Sequence, residues 1–382
     1  MLRTTHTALA IWYAGSIGSL AFLPYIANIL ADRGVPRENI GWMMLSMPVA
    51  FVLGGPAWSW LADRTGRADV ILKCATLITL LSTCALILAQ GMVAQTLLLA
   101  TLAFARAPLG PLGDAITLER LGGDRRSYGA VRMWGSVAFL ITAFAAGSLR
   151  TLWPVAPIFM GAGLILFAVW FAWTQVPGKI LEAAPKKILG PLLRNPVILL
   201  FLIIATLHGV ALTTYDNFFS LLTEELGFSG IVTGTAISTG VAAEIAVLGF
   251  GRKMLDTLGP RWLILIAVVS ILPRFWWTGG APTAGSLIVL QSLHGLSFGA
   301  FWIAGIALLS ELSPPEAPNA GQSLLPASAF GAGHLAAVLL ASFTLPLMPT
   351  QDLFQWIALG SLATTVLTLG FTLGPWKQRI PS

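Results

Sequence analysis

The sequence predicts an all-α membrane protein with twelve transmembrane helices in two pseudo-symmetric six-helix bundles. Hydrophobic residues make up 56% of the 382 residues and charged residues only 10%, which leaves too little polar surface to coat a soluble domain of this size. Apolar stretches of about 20 residues recur along the chain, each long enough to cross a hydrocarbon core of about 30 Å. A short basic turn at Asp63 returns half a chain later at Asp256, which indicates a duplicated architecture.

The apolar stretches are unbroken, whereas the strands of a membrane barrel alternate polar and apolar residues. Helices are expected because lipid offers the backbone no other hydrogen-bond partner. In the first half the predicted helices lie near residues 8–30, 40–62, 70–91, 94–118, 128–149 and 153–175. In the second half they lie near residues 196–221, 230–250, 259–278, 282–310, 318–344 and 350–374.

One long polar interruption separates the two halves and contains several prolines and lysines, which prevent a continuous spanning helix. The predicted organisation is therefore an N-terminal bundle (1–175), a cytoplasmic linker (176–195) and a C-terminal bundle (196–382). Overlaying Asp63 on Asp256 also pairs Gly66 with Gly259. Such parallel repeats are typical of transporters whose two bundles rock about a central site.

Lysine and arginine indicate the orientation, because basic residues hold short loops on the cytoplasmic side. With both termini cytoplasmic, the predicted outer loops carry only Arg33, Arg37 and Arg150. The net charge of +6 is then explained by membrane insertion, so no nucleic-acid partner is expected. Cys74 and Cys84 are too far apart along one predicted helix for a disulfide. We expect no metal and no cofactor other than protons as the coupling ion, and the chain has no Gly-rich phosphate loop of the Lys-Ser/Thr type.

The turn after the second predicted helix carries a family resemblance. Its sequence, Ser59-Trp-Leu-Ala-Asp63-Arg64-Thr-Gly66-Arg67, resembles the major facilitator superfamily signature Gly-x-x-x-Asp-Arg-x-Gly-Arg followed by another basic residue. Ser59 replaces the first glycine, and Ala68 with Asp69 replaces the basic follow-up. The resemblance implies a conformational role for Asp63, Arg64, Gly66, Arg67 and Asp256, with a salt-bridge network weakened by these departures.

Further segments resemble the branch of that superfamily that contains phenylpropionate permeases and nucleoside:proton symporters, and distantly the lactose permease group. They are Leu23-Pro-Tyr25, Pro111-Leu-Gly-Asp114-Ala, Tyr128-Gly-Ala-Val-Arg132-Met-Trp134-Gly-Ser136, Gly240-Val-Ala-Ala-Glu244 and Gln291-Ser-Leu-His294-Gly-Leu-Ser-Phe298-Gly. This resemblance implies proton-driven uptake of a small organic solute. It also implies a bacterial inner membrane, and we expect a monomer.

Ionisable residues within predicted spans are costly in lipid and are usually functional. Glu244 lies near the middle of a predicted helix, where a carboxyl group is able to take and release a proton; the alternative is a permanent structural pair with Arg274 or a histidine. His294 is a candidate proton relay or a packing residue. Asp216 is a proton-coupling candidate or a solvated gate residue.

The predicted solute site combines cations, amides and aromatic rings. Arg106 and Arg274 lie deep in their spans and suit an anionic solute, or else each pairs with an acidic residue. Gln291 lies three residues from His294 and shares its face. The remaining candidates are Asn28, Tyr25, Tyr215, Phe298 and Trp302, although most aromatic residues in membrane proteins pack between helices or face lipid.

Asp114 and Arg132 lie near the cytoplasmic ends of consecutive predicted helices. They form either an inner gate or a fixed pair that positions the turn between those helices. The residues together predict a proton symporter that imports a small solute. The preferred solute is an aromatic or apolar monocarboxylate. The alternatives are a symporter for a neutral sugar or nucleoside, and a proton-driven drug efflux antiporter. An enzyme is not expected, because no nucleophile and base constellation is present.

Overall fold

A computed structural model describes residues 2–122, 124–176, 192–280, 283–313 and 321–374. These residues are mostly helical and contain no strand. Eleven of their helical segments are long and apolar enough to span a membrane. The predicted all-α membrane fold is therefore confirmed.

The first half of the described chain contains eight α-helices and one 3-10 segment, because the first and fourth predicted spans are each interrupted. The helices are α1 (Leu2–Gly18), α2 (Ile26–Asp32), α3 (Arg37–Thr65), α4 (Ala68–Leu88), α5 (Met92–Arg106), α6 (Leu109–Arg120), α7 (Arg125–Arg150) and α8 (Ala156–Thr174). The 3-10 segment Ser19–Tyr25 contains Pro24 and joins α1 to α2. Pro108 lies in the interruption between α5 and α6, where a missing N–H weakens helical hydrogen bonding.

The second half is more irregular than its apolar runs predict. Its α-helices are α9 (Pro196–Glu225), α10 (Gly230–Val269), α11 (Ile271–Gly279), α12 (Ala284–Leu290), α13 (Phe301–Leu312), α14 (Leu324–Pro326), α15 (Gly333–Thr344) and α16 (Thr350–Leu373). Two π-helical segments, Gly295–Ala300 and Ala327–Ala332, interrupt the tenth and eleventh predicted spans. Short π-helical insertions are frequent at functional sites.

Two glycines with left-handed backbones mark the duplicated turns. Gly66 ends α3 with φ +62°, and Gly259 has φ +73° within the apolar segment Gly230–Gly279. That segment has 50 residues, about 75 Å if it were one straight helix and well beyond one membrane crossing. The predicted start of a new span at residue 259 agrees with this break, and the total of twelve spans stays a prediction.

The described residues cluster into two compact units. The first contains the residues up to 176 together with Ser229–Ser238, and the second contains 192–228 and 239–374. The predicted division into two bundles and a linker stays a prediction, and residues 177–191 of that linker lie outside the described residues. The grouping of Ser229–Ser238 with the first unit was not predicted.

Small residues set the helix spacing within each unit. In the first unit, a Cβ at Gly15 would lie 2.7 Å from the backbone nitrogen of Ala168, so α1 and α8 touch at their backbones. In the second unit, a Cβ at Gly333 would lie 2.8 Å from the carbonyl oxygen of Thr206. Close backbone approach through small residues is the usual way in which membrane helices associate.

Candidate functional site

Arg274 is the centre of a polar site in the second unit and is fully buried. Its Nε donates to Gln291 Oε1 at 3.0 Å, and its Nη1 donates to Ser297 Oγ at 3.0 Å. The guanidinium carbon lies 4.1 Å from the ring centroid of Tyr215, a cation–π distance. Gln291 is oriented in turn by donating to Thr278 Oγ1 at 3.2 Å. These residues, Arg274, Gln291, Ser297 and Tyr215, are called the arginine site below.

Three buried polar atoms around this site have no hydrogen-bond partner among the described residues. They are Arg274 Nη2, the hydroxyl of Tyr215 and His294 Nδ1. The rings of Tyr215 and His294 are 5.7 Å apart between centroids, so the three atoms belong to one cluster. Each unmade hydrogen bond of a buried group costs about 1–3 kcal/mol. The arrangement is therefore suited to receive a polar ligand.

Glu244 lies beside His294, with Oε2 3.7 Å from Nε2. Both side chains are largely enclosed, at 15% and 9% exposure. Glycines allow this proximity, since a Cβ at Gly295 would lie 2.6 Å from the carbonyl oxygen of Ala243 and one at Gly240 would lie 3.2 Å from His294 Cβ. A carboxyl group and an imidazole held this close can share or exchange a proton.

The structure does not join Arg274 to Glu244. Within the described residues neither side chain forms an ion pair with the other at 4.0 Å or less. Asp216 is exposed and lies close enough to both Arg274 and Glu244 for their charges to interact. The permanent Arg274–Glu244 pair considered from the sequence is therefore not formed in this structure.

Aromatic rings extend from His294 along the same helix and onto its neighbour. The ring of Phe298 stacks on His294 at 5.2 Å and on Trp302 at 6.2 Å between centroids. Phe330 lies 5.8 Å from Phe298 and 5.9 Å from Trp302. Phe298, Trp302 and Phe330 are called the aromatic shelf below. Rings at these distances favour an offset or tilted aromatic partner.

Two polar residues outside the set of candidate site residues lie near this site. His208 Nε2 lies 2.7 Å from the carbonyl oxygen of Ser297, and since a carbonyl only accepts, that nitrogen carries the proton. Asn217 Nδ2 contacts His334 Nε2 at 2.9 Å. The sequence shows a histidine and an asparagine within an apolar segment. Their hydrogen-bond partners lie 89 and 117 residues away along the chain, so the contacts could not be predicted.

Arg106 occupies a separate position in the first unit. Its Nη1 donates to Ser19 Oγ at 3.1 Å and its Nη2 to the carbonyl oxygen of Ser16 at 2.6 Å. No carboxylate of the described residues forms an ion pair with it within 4.0 Å. The hydroxyl of Tyr25 donates to the carbonyl oxygen of Ala143 at 2.9 Å, and Asn28 is buried. The acidic partner that the sequence offered as the alternative for Arg106 is therefore not seen among the described residues.

Asp114 and Arg132 both contact Tyr13. The Tyr13 hydroxyl donates to Asp114 Oδ1 at 2.7 Å, and the Arg132 guanidinium lies 5.7 Å from the Tyr13 ring centroid. Among the described residues, Asp114 and Arg132 form no ion pair within 4.0 Å. The role of this pair as an inner gate stays a prediction.

In the described residues, Arg64, Arg67 and Asp256 of the duplicated turns contact near neighbours in the sequence. Arg67 donates hydrogen bonds to Asp69 from Nε at 3.0 Å and from Nη2 at 3.1 Å. These bonds raise the pKa of the Arg67 guanidinium. The guanidinium of Arg64 lies 5.4 Å from the Trp60 ring. Asp256 and Arg252 are both exposed and 3.8 Å apart, a pair of little energetic weight. The side chain of Asp63 lies outside the described part.

Comparison with known proteins gives a consistent result. A model of the MFS_1 like family matches residues 7–356. A protein of Bacillus subtilis (strain 168) named "Uncharacterized transporter YwbF" is 24% identical over 96% of this chain and 94% of its own length. A protein of Escherichia coli (strain K12) named "Probable 3-phenylpropionic acid transporter" is 27% identical over 84% of this chain and 86% of its own length.

Solved structures of similar fold are also transporters. The crystal structure of the nucleoside transporter NupG has a TM-score of 0.82 at 18% identity and covers 98% of this chain and 100% of its own. The crystal structure of a mutant POT peptide transporter in complex with alafosfalin has a TM-score of 0.73 at 14% identity. It covers 97% of this chain and 93% of its own. Identities this low establish the fold alone.

Proposed function

Because the chain belongs to the MFS_1 like family and is a secondary transporter of the major facilitator type, we propose that it imports an aromatic or apolar monocarboxylate together with protons. As a multi-pass membrane protein it binds a small-molecule substrate within the bilayer. The proposed setting is a bacterial inner membrane with both termini in the cytoplasm, which the distribution of basic residues supports.

The single observation that carries the substrate class is the incomplete hydrogen bonding of the arginine site. Arg274 Nη2 and the Tyr215 hydroxyl are buried donors without partners among the described residues. A carboxylate accepts from two donors at once and neutralises the guanidinium charge. The aromatic shelf next to it supports a ring or an apolar body on the same solute. The name of the Escherichia coli relative fits this class.

Proton coupling is assigned to Glu244 with His294, and Asp216 is the third candidate. Glu244 Oε2 and His294 Nε2 are 3.7 Å apart, so a proton bound by one is stabilised by the other. A proton taken from the outer side would reduce the negative charge near Arg274 and favour entry of the anion. Alternating access of the two bundles then exposes both to the cytoplasm.

The alternative neutral-solute symporter requires Arg274 to be neutralised by Glu244. The described residues contain no such pair within 4.0 Å, which favours the anionic solute. Proton-driven drug efflux remains a second candidate, because relatives named multidrug resistance protein MdtG match 80% of this chain. Efflux predicts exchange of a cation for protons and no uptake of acids.

The deciding experiment is uptake into proteoliposomes under an imposed pH gradient, acidic outside. Radiolabelled 3-phenylpropionate, uridine and maltose are supplied to liposomes with and without the protein. We expect the initial rate of 3-phenylpropionate uptake to be higher with protein than in protein-free liposomes, where only the neutral acid diffuses, and the protein-dependent part to vanish when a protonophore collapses the gradient. If only uridine or maltose accumulates under the gradient, the proposed solute is wrong. If protein-dependent uptake of the acid does not depend on the gradient, the proposed proton coupling is wrong.

A further inference from the structure

We propose that His334 is a second recognition point, a neutral imidazole whose Nδ1–H donates a hydrogen bond to an acceptor on the ring of the substrate. The proposal rests on the function proposed above and refines its substrate class. It predicts aromatic acids that carry an ether, carbonyl or similar acceptor on the ring, at the end opposite to the carboxylate.

The direction of the hydrogen bond follows from Asn217. Its side-chain amide contacts the carbonyl oxygen of Thr213 at 2.6 Å and His334 Nε2 at 2.9 Å through the same atom. A carbonyl oxygen only accepts, so that atom is the amide nitrogen and it donates to both partners. His334 Nε2 therefore accepts and carries no proton. A neutral imidazole has its one proton on the other nitrogen, which is Nδ1.

Asn217 is held in place, so its side-chain amide cannot flip and exchange its donor for its acceptor. It is 8% exposed, and its amide is anchored to the backbone of its own helix. Helices α9 and α15 are in backbone contact at Gly333, the residue before His334, where a Cβ would lie 3.0 Å from Gly209 Cα. The π-helical segment Ala327–Ala332 ends just before these residues. The Asn217–His334 pair is therefore built into a rigid junction.

Helix α9 carries a residue of the arginine site and a residue of the Asn217–His334 pair on either side of Asp216. Successive residues of a helix are about 100° apart, so Asp216 lies about 100° from Tyr215 in one direction and about 100° from Asn217 in the other. Asp216 is exposed, and a carboxylate in a spanning segment faces a polar cavity rather than lipid. Tyr215 belongs to the arginine site and Asn217 contacts His334. A cavity at Asp216 would therefore adjoin both sites.

The aromatic shelf connects the two sites. Phe330 is one helical turn before His334 and points to the same side, and it lies 5.8 Å from Phe298. Phe298 in turn stacks on His294 at 5.2 Å, next to Tyr215. A ring on the shelf with its carboxylate at Arg274 would turn its far edge towards His334. His334 is half-buried, and no described residue forms a hydrogen bond with its Nδ1.

The test compares analogues that differ in one atom. Competition against 3-phenylpropionate uptake is measured with the 4-methoxy and 4-ethyl derivatives, in which an ether oxygen replaces a methylene group, and with the corresponding 3-substituted pair. We expect the methoxy compound to compete roughly three- to tenfold better in the wild type, the worth of one net hydrogen bond. His334→Phe removes the donor and keeps an aromatic ring, so the ratio should fall to about one.

Asn217→Asp supplies a sharper variant with the same shape. At a pH at which the imidazole stays neutral, a carboxylate at this position accepts from Nε2–H, which moves the imidazole proton away from Nδ1 and makes Nδ1 an acceptor. The methoxy preference should disappear, and a 4-amino analogue should gain over its 4-methyl counterpart. Asn39→Asp, the same change at a distant site near the start of α3, should leave both ratios as in the wild type.

A structural readout keeps the proposal testable if a variant fails to fold. The chain has four histidines, and the ring ¹⁵N signals lost in His334→Phe identify His334. We expect the Nδ1–H tautomer in the wild type and the Nε2–H tautomer in Asn217→Asp. An Nε2–H tautomer in the wild type, or equal ratios in the wild type and His334→Phe, overturns the proposal and leaves the transported class intact. Failure of the wild type to take up any aromatic acid instead overturns the proposed function.

Discussion

The guanidinium of Arg274 stacks 4.1 Å from the ring centroid of Tyr215, and each side chain keeps one buried polar atom that no described residue satisfies. The stacking fixes the plane of the guanidinium, while Gln291 and Ser297 occupy two of its donors. The free donor is therefore preorganised, which reduces the entropy lost when an anion binds.

Substitution of Arg274 by lysine should weaken binding of the acid. Lysine keeps the charge but cannot serve Gln291, Ser297 and a carboxylate at once, and it loses the planar contact with Tyr215. We expect KM for the transported acid to rise about tenfold or more, equivalent to about 1.4 kcal/mol. Arg252→Lys, at a side chain that is 95% exposed, is the matched control. An unchanged KM in Arg274→Lys would contradict the assignment of the anion site.

Substitution of Glu244 by glutamine should separate transport from the pH gradient. The amide keeps the shape but binds no proton, so accumulation driven by an acid exterior should be lost. Exchange of labelled for unlabelled acid at equal pH does not require net proton movement and should persist. Glu38→Gln, at an exposed position in the first turn of α3, should behave as the wild type. Gradient-driven accumulation in Glu244→Gln would exclude Glu244 as the coupling residue.

Substitution of Phe298 by alanine should affect aromatic acids more than aliphatic ones. The ring stacks on both His294 and Trp302, so its removal takes away the stacking surface and leaves Arg274 in place. We expect KM for an aromatic acid to rise about three- to thirtyfold, corresponding to roughly 0.7–2 kcal/mol of lost ring contact. Phe250→Ala, at a residue that is 67% exposed, serves as control. Equal losses for hexanoate and 3-phenylpropionate would argue against a ring on the shelf.

Substitution of Gly209 by alanine should destabilise the second unit. The added Cβ would overlap the carbonyl oxygen of Ala329 and lie 2.7 Å from Ala329 Cα, so a helix must move. Overpacking of this kind costs about 1–3 kcal/mol, visible as a lower melting temperature in detergent. Gly360→Ala has no atom within 4 Å of the new Cβ and should be neutral or stabilising by up to about 1 kcal/mol. Equal melting temperatures for the two variants would refute the close packing of α9.

Tyr13 and Asp114 should be energetically coupled. The hydroxyl donates to the carboxylate at 2.7 Å, and a hydrogen bond to a charged group contributes about 1.5–3 kcal/mol when it is buried. For this half-buried pair we expect a coupling of about 1 kcal/mol in a double-mutant cycle of Tyr13→Phe and Asp114→Asn. Thermal unfolding of the four proteins measures it, and strictly additive shifts would show that the contact is not maintained.

The sequence predicted the fold because helical membrane segments are encoded locally, in the length and composition of each apolar run. The duplicated turn was likewise visible as Gly66 and Gly259, and both adopt left-handed backbones. Glu244 and His294 were both named as proton-coupling candidates, and they lie 3.7 Å apart. Gly240 and Gly295, which permit this approach, stand in the same quoted motifs.

The contacts of Arg274 were beyond sequence reasoning. An acidic partner was the alternative to a solute, yet the structure gives it Gln291 and Ser297, neutral residues that no charge pattern reveals. Ser297 reaches it from a π-helical segment, whose position depends on packing against another helix rather than on a local repeat. His208 and Asn217 stayed outside the set of candidate site residues for the same reason, since only a tertiary contact distinguishes them from packing residues.

The two π-helical segments determine which of their own side chains face the solute. Each wide turn accommodates an additional residue relative to ordinary α-helical winding, so deleting one residue from Gly295–Ala300 would restore that winding. Because the wide turn already absorbs the additional residue, the helix downstream, including Trp302, would keep its orientation, and the change would fall on the segment itself, which carries Ser297 and Phe298. Relatives that differ by one residue at this point would consequently present a different wall to their solute, and gaps in their alignment would report on specificity as much as substitutions do.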